Sequence, residues 1–441
     1  MHKNSIIFVR LVIIAFSLIV ALPSNARDFR WEKKITGGID YVQIKKFVPH
    51  GRLLVHILKI DMKRSDIDIK PALAKDTIGK LEPIPNIAKR NNAVAAINGS
   101  FFDARRSPHL PIGIISIDGK TVNKSTLSRC AFGITAGKDI IIGVPNIKSK
   151  VVLLKKDKSF DIWGINRPRK NDEVILYTSE YGERTKTNNF GIEIIVKNGK
   201  VSSINRAKGN SKIPKGGYVV SLHGVSRKYA DWLLRGEDIL VEFDLGEEWE
   251  MVNHMVSGGP LLIENGKMVV KKTVIEEIFK GKLLKRSART AIGETKDKKL
   301  MLVVVDKRRG ISDGAFYSEL SKIMIQEGAW RAMGLDGGGS SSMFVDGKVV
   351  SYPTAWTSIP VSNAIIVKKK GYRYIAKKPR PISKPPPIEK ITTPEVVVLV
   401  ETVSEETVYP DGLFEIYNQL IKVFSVTGEV GIGEHGLEIR E

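Results

Sequence analysis

One cysteine, Cys130, is all the thiol chemistry this chain of 441 residues possesses, and that scarcity closes several routes. No intramolecular disulfide can staple the fold, no cysteine-based zinc site can be assembled, and no lipid-attachment cysteine follows the N-terminal segment. The surroundings, Ser128-Arg129-Cys130-Ala131-Phe132-Gly133, read Cys130 as a buried small hydrophobe rather than a nucleophile. Histidine is also sparse, seven in all, and none stands at a metal-ligand spacing. His223 and His254 lie near glycine turns and are candidates for the site, yet each reads first as a structural histidine. A divalent cation is carried as an open cofactor expectation, with no ligands assigned. Internal repeats at solenoid or propeller periods are absent.

Acidic residues are in deficit: 48 against 70 Lys and Arg, a formal net charge of +22. Such a surface attracts polyanions in a salt-dependent way. No nucleic-acid-binding module accompanies the charge, so the expected partners are anionic glycans, phosphate-bearing wall polymers and the cell envelope, not nucleic acid. Long apolar runs are missing except at the start, where a basic opening (His2, Lys3, Arg10) leads into Leu11 to Leu22 and then Ser24-Asn25-Ala26. Residues 1–26 therefore read as a signal peptide that sends the chain out of the cytoplasm, to the periplasm or beyond. An uncleaved anchor is the alternative, because Ile6 to Val9 can lengthen the run.

What remains is ordinary globular composition, 42% hydrophobic and 27% charged. The expected fold is mixed α+β (α/β): a large mixed sheet system with a C-terminal βαβ unit, in one compact catalytic domain over 27–369 that begins with an N-terminal β extension. Strands are predicted at Leu53 to Ile60, Ile67 to Ala72, Ala93 to Ile97, Ile112 to Ile117, Val174 to Tyr177, Gly191 to Val196, Val219 to Leu222 and Leu261 to Ile263. A helix is predicted near Ile84 to Asn91. Asp118-Gly119, Asn198-Gly199, Asn265-Gly266 and Asp346-Gly347 read as hairpin turns. The βαβ unit is Leu300 to Val305, a helix from Phe316 to Glu327 with Phe316, Leu320, Ile323 and Met324 on one face, and Arg331 to Leu335. Residues 370–394 form a Pro/Lys-rich linker, and 395–441 a tail or small accessory segment with an apolar run at Val396 to Val400 and a short helix near Leu413 to Val423.

Chemistry concentrates where buried strands end. Asp336-Gly337-Gly338-Gly339-Ser340-Ser341-Ser342 follows one such strand; three glycines can turn successive N–H groups toward one point as an anion nest, and the hydroxyls add donors. It lacks the lysine of a P-loop, and no nucleophile-elbow sequence supports Ser340 as a hydrolase serine. Asp306 follows the preceding strand of the predicted unit. Both carboxylates should therefore share one sheet edge within about 5 to 10 Å, the range of glycosidase carboxylate pairs. Arg289 and Arg308 offer planar forks suited to phosphate. Asn98-Gly99-Ser100-Phe101-Phe102-Asp103 combines an amide, a flexible glycine, a stacking surface and a carboxylate, and Ser257-Gly258-Gly259-Pro260 offers a second backbone nest. Asn98 and Asn123 both fit the glycosylation acceptor pattern, Asn98 against burial and Asn123 in a predicted loop.

Taken together with Arg289-Thr290-Ala291-Ile292-Gly293 and Val361-Ser362-Asn363-Ala364, these motifs resemble the phosphodiester glycosidase family, in the expected order over roughly residues 85 to 369. The resemblance implies a hydrolase that cuts a sugar's anomeric carbon from the phosphate of a phosphodiester, the sugar being of the N-acetylglucosamine type in one member. Carried over by position, it gives Asp336, Asp306 and Asp103 as catalytic residues, and Asn98, Gly99, Arg289, Arg308, Gly337, Gly338 and Ser340 as substrate-binding ones. The chain departs from animal members in lacking their cysteine-rich downstream region, and its proline-rich tail has no counterpart there. The competing readings are a non-catalytic binder of anionic wall polymers and an exopolysaccharide-modifying glycosidase.

Overall fold

The computed structural model describes residues 28–49, 51–125, 129–270, 285–351 and 359–373, and the backbone of strands at 429–433 and 436–440. The signal segment, residues 374–394 of the predicted proline-rich linker, the apolar run at Val396 to Val400 and the helix near Leu413 to Val423 lie outside the described residues, whereas Tyr372, at the start of that linker, packs against the core. The chain divides into two compact units, Met1–Lys377 and Lys378–Glu441. In the second, Glu429–Gly433 and Gly436–Arg440 pair as an antiparallel hairpin.

The larger unit is α+β and dominated by strands. Twelve elements position the site: β1 (Gly51–Asp61), β2 (Ile67–Leu73), α1 (Ile84–Arg90), β3 (Ala95–Asn98), β4 (Val252–Ser257), β5 (Leu261–Glu264), β6 (Arg289–Thr295), β7 (Lys299–Val305), α2 (Tyr317–Gln326), β8 (Ala329–Gly334), β9 (Met343–Val345) and β10 (Asn363–Lys369).

β7 reads as an uninterrupted apolar run because both of its faces are covered. Leu300, Leu302 and Val304 point one way, into a core shared with Ile97 of β3, Met343 of β9 and Ile365 of β10. Met301, Val303 and Val305 point the other way, toward Tyr317, Leu320, Ile323 and Met324 of α2. On the far side, Ile84, Ile87 and Ala88 of α1 pack against Ala96, Phe344 and Ile366. The result is four layers: helix, eight-stranded sheet, five-stranded sheet, helix. Each buried Leu, Ile or Val contributes about 1.5–3 kcal/mol relative to exposure.

The eight-stranded sheet runs 29–36, 39–48, β1, β7, β6, β8, β5, 267–268; the five-stranded sheet runs 348–349, β9, β3, β10, β2. Here the predicted βαβ unit is corrected. β7, α2 and β8 do follow one another, but β6 lies between the two strands and is antiparallel to both, so no parallel ladder forms. The cause is local. A tight turn, with Lys298 N–H donating to Thr295 O, folds β6 and β7 into a hairpin, and α2 then carries the chain across that hairpin. β7 and β8 still run the same way, so Asp306 and Asp336 both emerge at the edge where Arg289 begins β6.

The third large sheet, ten strands drawn from 114–257, packs with a three-stranded one (148–153, 158–161, 239–244) around a separate core. All four predicted turn dipeptides have both residues at positive φ, as the tight primed turns require. Cys130 is fully buried with its Sγ 3.7 Å from Met333 Sδ, the packing role expected of it.

Candidate active site

β3 ends at Asn98, and this side chain knots three distant segments together. It is fully buried; its Nδ2 donates to the carbonyl of Asp336 at 2.6 Å, while its Oδ1 accepts from Thr290 Oγ1 at 2.8 Å and from Ser342 N–H at 3.1 Å. Gly99 adds a backbone link, its carbonyl accepting from Asp336 N–H at 3.2 Å. A side chain at Gly99 would begin 2.0 Å from Asn363 Oδ1, the atom that accepts Ser100 N–H. Asn363 also donates to the Ser100 and Ser362 hydroxyls, which gives the Val-Ser-Asn-Ala motif its task of clamping the Asn98 turn.

The Asp336 loop differs from the anion nest that its glycines predict. Gly338 N–H donates to Ala288 O, and Ser340 and Ser341 N–H groups donate back to Gly337 and Gly338 carbonyls. The Gly337 N–H and the Ser340 hydroxyl are directed at the Asp336 carboxylate itself. These donors serve the aspartate rather than an incoming anion. Burial nonetheless dominates and pushes the Asp336 carboxyl up to about 7, against the opposing pull of those two hydrogen bonds. The second predicted nest is likewise consumed internally: Gly258 N–H donates to Cys130 O, and Gly259 N–H to Gly334 O.

Arg289 is 2% exposed. Its Nε donates to Ala315 O at 3.0 Å, its Nη2 to Lys285 O, and its Cζ sits 4.0 Å above the centre of the Tyr317 ring. Burial draws its pKa below the usual guanidinium value, with Tyr317 acting the other way. Nη1 lies 3.9 Å from where a Gly337 side chain would start, so the buried cation underlies the glycine loop.

Asp306 is 1% exposed, and its Oδ2 lies 3.2 Å from His56 Nε2. One strand, β6, separates it from the strand bearing Asp336, which puts the strand axes about 10 Å apart. Arg308 follows in a short hairpin with Ser312 and is partly exposed. Asp103 lies in the loop that follows β3. Its carboxylate accepts from Arg105 N–H at 3.0 Å, capping its own loop, and it lines a cavity of about 470 Å³ with Phe102, Lys124 and Arg167.

Neither histidine joins the site: Asp118 N–H donates to Nδ1 of His254, and Asp172 N–H donates to Nδ1 of His223. Asn123 lies in a strand, not a loop, and its buried amide donates to Pro111 and Gly113 carbonyls, so it is no glycosylation acceptor in the fold. Among the described residues no group of three or more His, Cys, Asp or Glu could hold a metal ion. Sequence reasoning missed Thr290, Tyr317, His56 and Tyr41. Thr290 lay inside a quoted motif; the others carry no local signal.

Fold and site together define a strand-rich α+β domain whose sheet edge holds an aspartate gripped by a serine and a glycine turn above a buried arginine. Residues 190–368 match the phosphodiester glycosidase family model, which bears out the resemblance read from the motifs. No curated protein matches the chain. Among solved structures, a hypothetical protein from Synechocystis is 24% identical with a TM-score of 0.67, over 79% of this chain and 65% of that one. A protein of Burkholderia pseudomallei K96243, described as exported, is 18% identical with a TM-score of 0.65, over 78% and 97%. The zebrafish N-acetylglucosamine-1-phosphodiester alpha-N-acetylglucosaminidase catalytic domain, auto-inhibited by its pro-peptide, is 17% identical with a TM-score of 0.42, over 79% and 86%. The first two show a shared fold. Among the described residues no helix is long and apolar enough to cross a membrane.

Proposed function

We propose that this chain is an exported glycosidase that hydrolyses the bond between a sugar's anomeric carbon and phosphate in a surface or envelope phosphodiester, with an N-acetylglucosamine-type sugar as the first candidate. The observation that carries the reading is the state of Asp336: a carboxyl raised to about 7, held between Ser340 and Gly337 at a sheet edge, in a glycine loop that a buried arginine underlies. A base works best when its pKa lies near the operating pH. Asp336 takes a proton from water as the oxygen adds to the anomeric carbon; the carbon–oxygen bond to phosphate breaks, and its electron pair leaves with the phosphate. Asp306 faces the developing positive charge of the sugar. Arg289 supplies fixed charge beneath the loop, a better fit to its burial than gripping phosphate with both forks, and the more exposed Arg308 meets the phosphate directly. Asn98 and Gly99 hold Asp336 in place. Asp103 lines a cavity with Phe102, Lys124 and Arg167 and is the third acidic group of the proposal.

A carboxylate pair separated by one strand favours the wider spacing of inverting enzymes, which leaves room for the water. Proton NMR of the first product formed should therefore show the anomer opposite to the substrate's; the same anomer would contradict the assignment. Replacing Asp336 by Asn should lower the release of reducing sugar from a panel of sugar 1-(methyl phosphate) esters by at least about 10²-fold with the fold intact. In the wild type, kcat/KM should rise with pH through a midpoint near 7. The net charge of +22 also supports retention on anionic polymers. Salt-sensitive binding with no sugar released from any ester would favour the non-catalytic reading.

A further inference from the structure

The main chain of Asp306 is held from two sides. Its N–H donates to Leu54 O at 3.0 Å, and its carbonyl accepts from the Ser312 hydroxyl at 2.6 Å. That hydroxyl in turn accepts Leu54 N–H at 3.1 Å, so β1 and the hairpin after β7 fix the main chain together. The carboxylate has a buried partner of its own. His56, on β1 opposite Val304, presents Nε2 to Asp306 Oδ2 at 3.2 Å, and its Nδ1 lies 2.7 Å from the hydroxyl of Tyr41.

All three side chains are buried among apolar neighbours: His56 is 0% exposed and Tyr41 6%. The same core face holds Leu58, Leu302 and Val304, so packing alone would be served at least as well by an apolar residue in place of the imidazole. A buried polar chain has to be satisfied throughout. With a neutral imidazole and a carboxylate at its end, the arrangement that achieves this has the Tyr41 O–H donating to Nδ1 and Nε2–H donating to Oδ2. The direction of the chain is thereby set, running from the phenol toward the acid. Burial, with Asp306's charge adding to it and a Gln43 hydrogen bond opposing, pushes the Tyr41 hydroxyl up to about 12, so it stays a donor across the working pH range.

We propose that His56 is a positioning residue for Asp306, holding one carboxylate oxygen so that the other keeps a fixed orientation, and that Tyr41 locks the imidazole ring and its tautomer. This rests on the reading above that Asp306 acts on the sugar. Tyr41 also reaches the wall of a cavity of about 550 Å³ lined by Trp31, Lys33 and Tyr372, with the Trp31 ring edge-on to it at 5.9 Å. The chain therefore begins at a cavity wall and ends at the proposed catalytic edge.

The test uses four variants of the full chain, assayed on whichever sugar 1-(methyl phosphate) ester the wild type cleaves fastest. His56→Phe keeps a ring of similar volume and removes both nitrogens; it should lower kcat about 10- to 100-fold while KM stays within about twofold. His56→Gln keeps an amide donor near the position of Nε2 and should recover most of that loss. Tyr41→Phe should lower kcat several-fold at unchanged KM and unchanged far-ultraviolet circular dichroism. Asp306→Asn should be the most impaired. Wild-type kcat in a folded His56→Phe protein beside an inactive Asp306→Asn overturns the positioning role and leaves the reading of Asp306 standing. Equal loss in His56→Phe and His56→Gln also overturns it, because the residue is then structural. Should His56→Phe fail to fold, Tyr41→Phe decides, and wild-type kcat there counts against the proposal. Full activity in Asp306→Asn removes the reading beneath it.

Discussion

Asp336 is destabilising in the ionised form, and the sign of its pH dependence follows from that. Its carboxyl ionises near 3.8 when unfolded and near 7 when folded. Below about pH 4 both states are protonated and burial of the group costs nothing in charge. Between the two values the unfolded chain releases its proton first, so stability falls as pH rises; above about 7 the penalty is constant. Asn mimics the protonated acid. Asp336→Asn should therefore melt a few degrees above the wild type at pH 8 and level with it at pH 4, even as activity is lost; a variant less stable at pH 8 would show that the carboxylate is a favourable partner there. Asn98, Arg289 and Asp336 were legible because each sits in a motif at the end of a buried strand. His56 was not. It occupies the middle of the apolar run Leu53 to Ile60, and its partner lies 250 residues further on, so nothing in its neighbourhood distinguishes it from core.

Elements were readable where local chemistry dictates them. The predicted helices fall within a residue of α1 and α2, because a Pro-flanked start and a 3.6-residue stripe mark them. The four primed turns need positive φ at two successive positions, which Asn-Gly and Asp-Gly supply. The strand at 29–36 escaped notice, since it is an exposed edge rich in Lys and Glu and has no alternation to detect. The insertion of β6 between β7 and β8 was equally hidden, being a choice among pairings rather than among local conformations. Gly258 shows how closely these elements approach: a Cβ there would lie 2.4 Å from Gly334 O, in the strand that leads into Asp336. Gly258→Ala should cost about 1–3 kcal/mol by overpacking. Because the shifted backbone is that of β8, kcat should fall as well; an unchanged melting temperature would mean that the contact relaxes freely.

At the scale of the molecule, composition indicated a positively charged protein and patterning a large sheet system, and the two sheets at the site are built from segments far apart in the sequence. β3 is completed by β9 and β10, over two hundred residues away, and β7 is flanked by β1. The stretch that matches the family, residues 190–368, thus contains β7 and β10 but neither β1 nor β3. A gene fragment encoding that stretch alone would yield a polypeptide with the interior of two sheets laid open, and it should collect in inclusion bodies. Coexpressed with a second fragment bearing residues 28–189, it should return to the soluble fraction as a noncovalent heterodimer, and a soluble, monomeric 190–368 would refute the expectation. Engineering or dating this lineage by its recognisable segment would therefore mistake half of an interlocked pair for a portable module.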